Sequence, residues 1–450
     1  MDQTNGAGKR KPHRTGLPGA PAAGGTTDTR AGGTRTADAR AGAGPAAGTP
    51  AGGTRTADTR AGAGPASGVP TVGVVVARTG RLARLGDPLA YVMDLLGPAL
   101  RGRLRLVGRD SGSTGEGARR AVRELVEAER ARIVVTLAGT EVLPAVADAC
   151  EEAGVPCLSS TFPWQVYYYG GARRRWTYHF CWGLDDIAET FADLWEAAGG
   201  AGRTVGCLWN DGPQGTWSRH GRHGFLPAAR ARGHRLVDPA GYREPAAALD
   251  AHAAAFAEAG VDVVTSAATG ADLGVFRRAA AARGLPLRLI TCSRWLAYPP
   301  AVTAPAEEPP QADVATLVYW TPDHPYRSSL DGTSAAELAE RYERATGGQW
   351  LQPLGLAYAL VEVAAHALDT ADDPTVPESV AAALGSTRLE TMAGPLDWTS
   401  GPEPHIATVR LAGGQWQRGR RHPYELVVVD GRGVDGLPVG GELRLPDGAL

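Results

Sequence analysis

Two patterns in this 450-residue chain have spacing that metal or phosphate chemistry uses. His220 and His223 are three residues apart, as in many metal sites, but no third ligand lies near them in the sequence. A GxGxxG pattern occurs at residues 431–436, but no helix follows it and Pro438 comes two residues after its last glycine. Such a segment cannot present a helix N-terminus to a phosphate. Both patterns therefore favour surface and loop structure over a metal or nucleotide site.

No group of side chains suggests catalysis. The sequence has no Walker A, GxSxG or HExxH motif, and no nucleophile is paired with a base and an orienting group. Five cysteines occur, at spacings that match no zinc or CxxC signature: Cys150, Cys157, Cys181, Cys207 and Cys292. Their odd number fits no disulfide framework, so we expect buried free thiols. The sequence predicts a protein that is not an enzyme and that needs no cofactor or metal.

The N-terminal segment has the composition of a disordered tail. Residues 1–70 contain no Phe, Trp, Tyr or Ile, so they cannot bury enough apolar surface to offset backbone entropy. The segment Thr34–Gly48 recurs almost unchanged as Thr54–Gly68, without the apolar positions that a stacked repeat requires. We predict a disordered tail over residues 1–69.

Charge separates this tail from the rest of the chain. The tail carries nine Lys and Arg against four Asp, whereas the chain as a whole has a net charge of −2. The remaining residues are therefore mildly acidic, which argues against a nucleic-acid-binding face, because phosphate binding requires clustered cations. No apolar run is long enough to cross a membrane, and no apolar segment follows the basic cluster at residues 9–11. We expect neither a transmembrane segment nor an export signal.

After the tail, short apolar runs alternate with amphipathic helical stretches. Seven runs are predicted as strands: 72–77, 104–108, 133–139, 205–209, 261–267, 287–291 and 315–320. Continuous β-branched runs are typical of parallel sheets that are covered on both faces. Five helices are predicted between them: 118–130, 141–153, 185–198, 246–259 and 271–283. This alternation is typical of successive βαβ units and predicts a doubly wound α/β fold.

The strands fall into two series, and about 380 residues exceed what a single core usually supports. Two lobes are therefore expected. In tandem α/β lobes, the carboxyl ends of the strands face a common cleft, and ligands bind there.

Six segments, taken together in order and spacing, carry a family resemblance. They are Ala77–Gly86 (ARTGRLARLG), Val134–Val146 (VVTLAGTEVLPAV), Glu151–Phe162 (EEAGVPCLSSTF), Val205–Trp217 (VGCLWNDGPQGTW), Asp262–Leu285 (beginning DVVTSAATGADLG) and Ala393–Trp398 (AGPLDW). From Val72 to about Asp430 the chain resembles the type I periplasmic binding proteins, specifically the branched-chain amino-acid-binding class of ABC-transporter receptors. In one departure, an extra residue separates Asp211 from Gly215 in the loop that resembles the family's D-x-x-G.

The resemblance implies two lobes joined by a hinge. The predicted ranges are 70–182 and 322–392 for the first lobe, 183–321 and 393–430 for the second, and 431–450 for a C-terminal tail. It also implies a function. The lobes would trap a small molecule and present it to an ABC permease.

In the family, backbone amides and Ser or Thr hydroxyls after the third and fourth strands hold the ligand carboxylate. The resemblance places Ala138, Gly139, Thr140, Ser160, Thr161 and Phe162 there. The matched segments and the following strand add five further ligand-binding candidates: Leu85, Trp217, Thr269, Arg294 and Trp295. Small hydroxyl side chains suit such a site, since they bring donors to an anion without a competing charge. Each hydroxyl could equally cap its own loop.

The predicted site departs from the family at one position. Amino-acid-binding relatives place an acidic residue after the strand at 287–291 to neutralise the ligand ammonium, whereas this chain has Ser293, Arg294 and Trp295. A cation there would repel an ammonium group in a poorly screened cleft. We therefore expect a carboxylate without an amine, or an aromatic acid, in place of an α-amino acid. The alternative is that Arg294 points out of the cleft and pairs with a surface acid.

Aromatic residues are concentrated in three stretches, 179–186, 319–332 and 348–355. They predict either a cleft lined with Trp and Tyr or ordinary packing between the lobes. The predicted location is extracytoplasmic by resemblance. Because no export signal is seen, a cytosolic ligand sensor of the same fold remains an alternative, as does a relative that binds nothing.

Overall fold

The computed structural model describes residues 68–294 and 314–446. Almost all of the predicted disordered tail, the ligand-binding candidate Trp295 and the last four residues lie outside this range. The described residues form two large sheets covered by helices, and a small two-stranded sheet formed late in the chain. The doubly wound α/β prediction is confirmed.

The first sheet has six parallel strands in the order β13-β5-β4-β3-β1-β2. Its strands are β1 (Thr71–Val76), β2 (Arg105–Asp110), β3 (Ala131–Leu137), β4 (Cys157–Ser160), β5 (Thr177–Phe180) and β13 (Ile406–Ala407). The helices that connect them are α1 (Ala83–Ala99), α2 (Gly115–Glu127), α3 (Val142–Ala153) and α4 (Trp164–Tyr169). Strands β1, β4 and β5 are buried along their whole length, which explains the continuous apolar run of β1. This sheet and its helices are the first lobe.

The second sheet has seven strands in the order β15-β14-β10-β9-β8-β6-β7. Its strands are β6 (Thr204–Leu208), β7 (Arg235–Val237), β8 (Val263–Ser266), β9 (Leu289–Cys292), β10 (Val314–Val318), β14 (Ala412–Arg418) and β15 (Tyr424–Asp430). Its helices are α5 (Leu184–Ala197), α6 (Pro213–Ser218), α7 (Leu226–Ala231), α8 (Asp250–Glu258) and α9 (Gly270–Ala282). Only β14 runs antiparallel to its neighbours β10 and β15; the other pairs are parallel. This sheet and its helices are the second lobe.

The chain returns to the first lobe after β10. The returning elements are α10 (Ala335–Thr346), α11 (Pro353–Thr370), α12 (Pro377–Ser386) and the hairpin of β11 (Arg388–Thr391) with β12 (Gly394–Asp397). Helix α11 is almost entirely buried and packs on β3, β4 and α1. At its centre, the carboxylate of Glu362 accepts hydrogen bonds from the amides of Ser329 (2.6 Å) and Met392 (2.7 Å). The buried Glu362 side chain therefore links the segment before α10 and the β11–β12 hairpin to the core of the first lobe.

Each of the seven predicted strands appears with its ends shifted by a few residues. The run predicted at 315–320, for example, is β10, which ends at Val318 because Tyr319 already turns towards the space between the sheets. Strand β13 pairs with β5 of the first sheet, although residues 393–430 were predicted for the second lobe. The crossing into the second sheet therefore follows β13.

The structure also describes the cysteines and the lengths of the apolar helices. All five cysteines are buried and free, as expected. Among the described residues, no helix combines the length and apolarity that a membrane span requires.

Candidate functional site

One cavity of about 280 Å³ lies between the two sheets, at the carboxyl ends of their strands. From the first lobe it is lined by the segments that follow β3 and β4. From the second lobe it is lined by α6 and by residues that follow β8 and β9. Parallel strands direct their following loops to the same sheet edge, so this placement is the one expected for a ligand site in a doubly wound fold. The volume suits a small ligand.

The loops after β3 and β4 are tied together at the cavity wall. The hydroxyl of Thr161 donates to the carbonyl of Ala138 at 3.2 Å, and both residues line the cavity. Thr161 has a φ of +77°, a conformation that a β-branched residue rarely adopts. Backbone strain of this kind persists only where the surroundings impose it, and it is concentrated at functional sites.

A buried histidine holds this strained loop from behind. The Nε2 of His179 lies 2.6 Å from the carbonyl of Phe162, and its Nδ1 lies 2.9 Å from the hydroxyl of Ser159. The pairing with a carbonyl requires a proton on Nε2, so Nδ1 accepts from Ser159. Tyr167 stacks on the imidazole at 4.3 Å. Burial lowers the pKa of His179 to about 4, so the ring is neutral near pH 7.

On the opposite wall, α6 presents Trp217 and Gln214 to the cavity. This short helix is held at its N-terminus by Asn210, whose Oδ1 accepts from the amides of Gly212 (3.1 Å) and Gly215 (3.0 Å). A side chain at position 215 would meet the carbonyl oxygen of Asn210 at 1.9 Å, so only glycine fits there. Asn210, and not Asp211, therefore organises the loop in which one extra residue was noted.

Aromatic rings form much of the remaining wall. Trp182 and Tyr319 stack at 4.3 Å with an interplanar angle of 25°, and both line the cavity with Phe162 and Phe225. By contrast, Trp320 is buried and packs edge-on against Trp350 at 5.9 Å. The aromatic-rich stretches thus contribute both to the cavity and to ordinary core packing.

Arg294 lines the cavity and is also paired with an acid. Its Nη1 lies 2.6 and 2.8 Å from the two carboxylate oxygens of Glu244, and both side chains are about three-quarters buried. Asn210 donates to the same carboxylate at 3.0 Å. The two interpretations of Arg294 therefore combine: it faces the cavity, and part of its charge is neutralised by an acid that does not line the cavity.

The charged residues of the described wall have one sign. Arg81 and Arg294 are its only charged members, and neither Asp nor Glu contributes to it. Arg81 is 65% exposed and pairs with Glu141 at 3.0 Å, so it lies at the rim. A ligand ammonium would find no carboxylate on this wall, whereas a ligand carboxylate would find the hydroxyl of Thr140 and the guanidinium of Arg294.

Eight of the eleven predicted ligand-binding residues line this cavity: Leu85, Ala138, Gly139, Thr140, Thr161, Phe162, Trp217 and Arg294. Ser160 does not, because its hydroxyl points into the sheet and donates to the carbonyl of Phe180 at 2.7 Å. Thr269 does not either, because its hydroxyl caps α9 by accepting from the amide of Asp272 at 3.2 Å. For these two, the loop-capping or structural interpretation applies.

Several lining residues were not predicted individually. Trp182 and Tyr319 fall in aromatic-rich stretches, so composition pointed to their neighbourhood. Ile187 lies on the buried face of α5, where an apolar residue is as typical of a core as of a ligand wall. Gln214 gave no sequence signal.

The histidine pair at 220 and 223 is half-buried and stacked, with ring centroids 5.0 Å apart. Within the described part of the chain, no three metal-ligating side chains come together. The pair therefore belongs to an aromatic contact.

Comparisons with known proteins agree with this geometry. The family model described as periplasmic binding protein matches residues 70–421. A leucine-binding protein from Thermotoga maritima has a similar structure, with a TM-score of 0.63, 16% identity, and coverage of 80% of this chain and 97% of that protein. No curated protein matches the sequence.

Two further solved structures are similar to the chain. One is an ABC-transporter solute-binding protein from Rhodopseudomonas palustris in complex with 3,4-dihydroxybenzoic acid (TM-score 0.63, 17% identity, 82% and 98% coverage). The other is a fatty acid ABC-transporter substrate-binding protein from Thermomonospora curvata (TM-score 0.62, 17% identity, 83% and 95% coverage). At these identities, the likeness establishes the fold.

Proposed function

The chain belongs to the periplasmic binding protein family, and we propose that it is the solute-binding component of an ABC-type importer for a small carboxylate with an aromatic or apolar body. Closure of two lobes around the ligand, and recognition of the closed form by a permease, is the mode of action that goes with this fold. The chemistry that such a protein performs is binding, so its function rests on the cavity wall.

The observation that carries the proposal is the distribution of charge on that wall. Its charged members are cations, and the described wall contains no carboxylate. An α-amino acid brings an ammonium group that would lose its hydration without a counter-charge, which is costly in a closed cavity. A simple carboxylate brings only the group that Thr140 and Arg294 can serve, since the Thr161 hydroxyl already donates to Ala138.

The rest of the wall supports an apolar or ring-bearing ligand body. Phe162, Trp182, Trp217 and Tyr319 offer faces and edges on which a ring can stack, and each such contact contributes roughly 0.5 to 1.5 kcal/mol beyond area burial. Two of the similar proteins are associated with ligands of this class, one in complex with 3,4-dihydroxybenzoic acid and the other a fatty acid ABC-transporter substrate-binding protein. They agree with the proposal without identifying the ligand of this chain. No structural feature favours the cytosolic sensor.

A thermal-shift screen tests the proposal. We expect aromatic acids such as benzoate and 3,4-dihydroxybenzoate to raise the melting temperature, because a ligand at a hundred times its dissociation constant adds about 2.7 kcal/mol to stability. Benzamide, which keeps the ring and lacks the charge, is the matched control and should have a smaller effect. A larger shift with leucine or valine than with any of the acids would overturn the ligand class.

A further inference from the structure

Four aromatic rings form a continuous stack beside the cavity. Trp217 stacks on His220 at 5.3 Å, His220 on His223 at 5.0 Å, and His223 on Tyr169 at 5.1 Å, each pair with an interplanar angle of 25 or 26°. We call these four residues the ring ladder. It begins at the cavity wall with Trp217 and ends at the surface with Tyr169, which is 38% exposed.

The ring ladder joins the two lobes. Tyr169 ends α4 of the first lobe, and its hydroxyl donates to Glu403 at 2.5 Å. The other three rings lie on α6 and the turn after it, in the second lobe. Trp217 is also close to the first lobe, because a Cβ on Gly170 would lie 3.7 Å from its ring. The ladder therefore bridges the cleft next to the ligand cavity.

The turn that carries the histidines is held by the Nδ1 atom of His220. The Nδ1 of His220 accepts from the amides of His223 (3.1 Å) and Arg222 (3.3 Å), and this places the His223 ring between its two neighbours. The position of the His223 ring therefore depends on the Nδ1 acceptor of His220.

We propose that the ring ladder is a latch across the cleft, in which His223 and Tyr169 hold the lobes closed and slow ligand release, and that acid opens it. This rests on the proposed function for the ligand, but the lobe contact itself does not depend on ligand class. Tyr169, His220 and His223 act as positioning residues, since only Trp217 reaches the cavity.

Burial and two neighbouring basic side chains favour the neutral form of His223. Burial is the largest cause that lowers its pKa, and His220 and Arg222 of its own turn lower it further. Asp185 at the start of α5 and Glu403 before β13 act in the opposite direction, and they are outweighed. Arg219 of the same turn is already paired with Asp238 at 2.6 Å. Because burial of the ring lowers the pKa of His223, protonation favours an arrangement in which the ring is more exposed.

The first test measures release of 3,4-dihydroxybenzoate from the full chain by stopped-flow fluorescence at pH 7.5 and pH 5.0. Loss of one aromatic pair should speed release about two- to twelvefold in His223→Ala. His223→Phe keeps the ring and cannot be protonated, so it should release slowly at pH 7.5 and lose part of the acceleration at pH 5.0. His252→Ala, a histidine of α8 outside the ladder, should match the unmodified protein at both pH values.

The second test needs no ligand. Spin labels at Arg173→Cys and Thr216→Cys, both exposed, would report the distance between the lobes in the full chain, since the native thiols are buried. We expect a longer or broader distance distribution at pH 5.0 than at pH 7.5, and at pH 7.5 in His223→Ala. Tyr169→Ala breaks the same contact from the other lobe and should give the same change.

The outcomes separate the two proposals. If the probe fails to bind while the label distance responds to His223→Ala and Tyr169→Ala, the ligand class is wrong and the latch stands. If both variants give the distances of the unmodified protein at both pH values, the latch is refuted. Release from His223→Ala at the unmodified rate would refute it equally.

Discussion

Replacing Arg294 by Met should weaken carboxylate binding more than any other loss of charge from the cavity wall. Methionine keeps an unbranched apolar stem and loses the guanidinium. A hydrogen bond to a charged group contributes about 1.5 to 3 kcal/mol, which corresponds to roughly 12- to 160-fold in affinity. Since Glu244 already occupies Nη1 through both of its oxygens, at 2.6 and 2.8 Å, we expect the lower end, about tenfold.

Glu244 makes the experiment a double-mutant cycle. In Arg294→Met the Glu244 carboxylate is left near the cavity without its cation, so part of the loss comes from repulsion of the ligand. Glu244→Gln alone should tighten carboxylate binding by a few fold, because it frees guanidinium charge. The double variant Arg294→Met/Glu244→Gln should then bind the ligand better than Arg294→Met alone.

Isothermal titration calorimetry with benzoate at pH 7.5 measures all four proteins, and Arg81→Met is the matched control. Arg81 is 65% exposed and paired with Glu141, so its loss should change affinity less than threefold. Equal affinities for Arg294→Met and the unmodified protein, with a loss in Arg81→Met, would refute the assignment of the ligand carboxylate to Arg294.

Three further outcomes follow from the structure. Gly86→Ala should lower the melting temperature and impair binding, because its Cβ would lie 2.0 Å from the carbonyl oxygen of Ala77, and the neighbouring Leu85 lines the cavity. Gly97→Ala in the same helix meets nothing within 4 Å and should be neutral or stabilising. The pKa of His179 is lowered to about 4, so its contribution to stability is present above pH 6.5 and is lost as the pH falls towards 4. Urea titrations should therefore show up to about 3 kcal/mol more acid destabilisation in the unmodified protein than in His179→Gln. Trp217→Ala should weaken binding of aromatic acids by about tenfold and that of acetate much less, as measured by calorimetry.

Much of the fold could be predicted because its signals are local. Continuous β-branched runs that alternate with amphipathic helical segments predict parallel strands covered on both faces. Strands β1 and β3 accordingly lie within a few residues of the predicted runs. The exit of Tyr319 from its strand and the pairing of β13 with β5 depend on contacts between segments far apart in sequence. No periodicity encodes these contacts.

The site shows the same division. Position in the loop after β4 predicted that Ser160 and Thr161 would both face the ligand. Successive side chains of a strand point to opposite faces, and Ser160 at the end of β4 donates to the carbonyl of Phe180 within the sheet. Thr269 matched a site segment, yet a hydroxyl directly before a helix is commonly its cap. Glu244, which neutralises part of the Arg294 charge, is 50 residues away in sequence and belongs to no motif. Partners of this kind are determined by the tertiary fold.

The most direct test of the central claim is a calorimetric titration of the full chain with 3,4-dihydroxybenzoate, and in parallel with phenylalanine, at pH 7.5. The two ligands share a ring and a carboxylate, and phenylalanine adds the ammonium group for which the described wall has no counter-charge. We predict saturable binding of one dihydroxybenzoate per chain, with phenylalanine at least tenfold weaker. Tighter binding of phenylalanine than of dihydroxybenzoate would contradict the proposal.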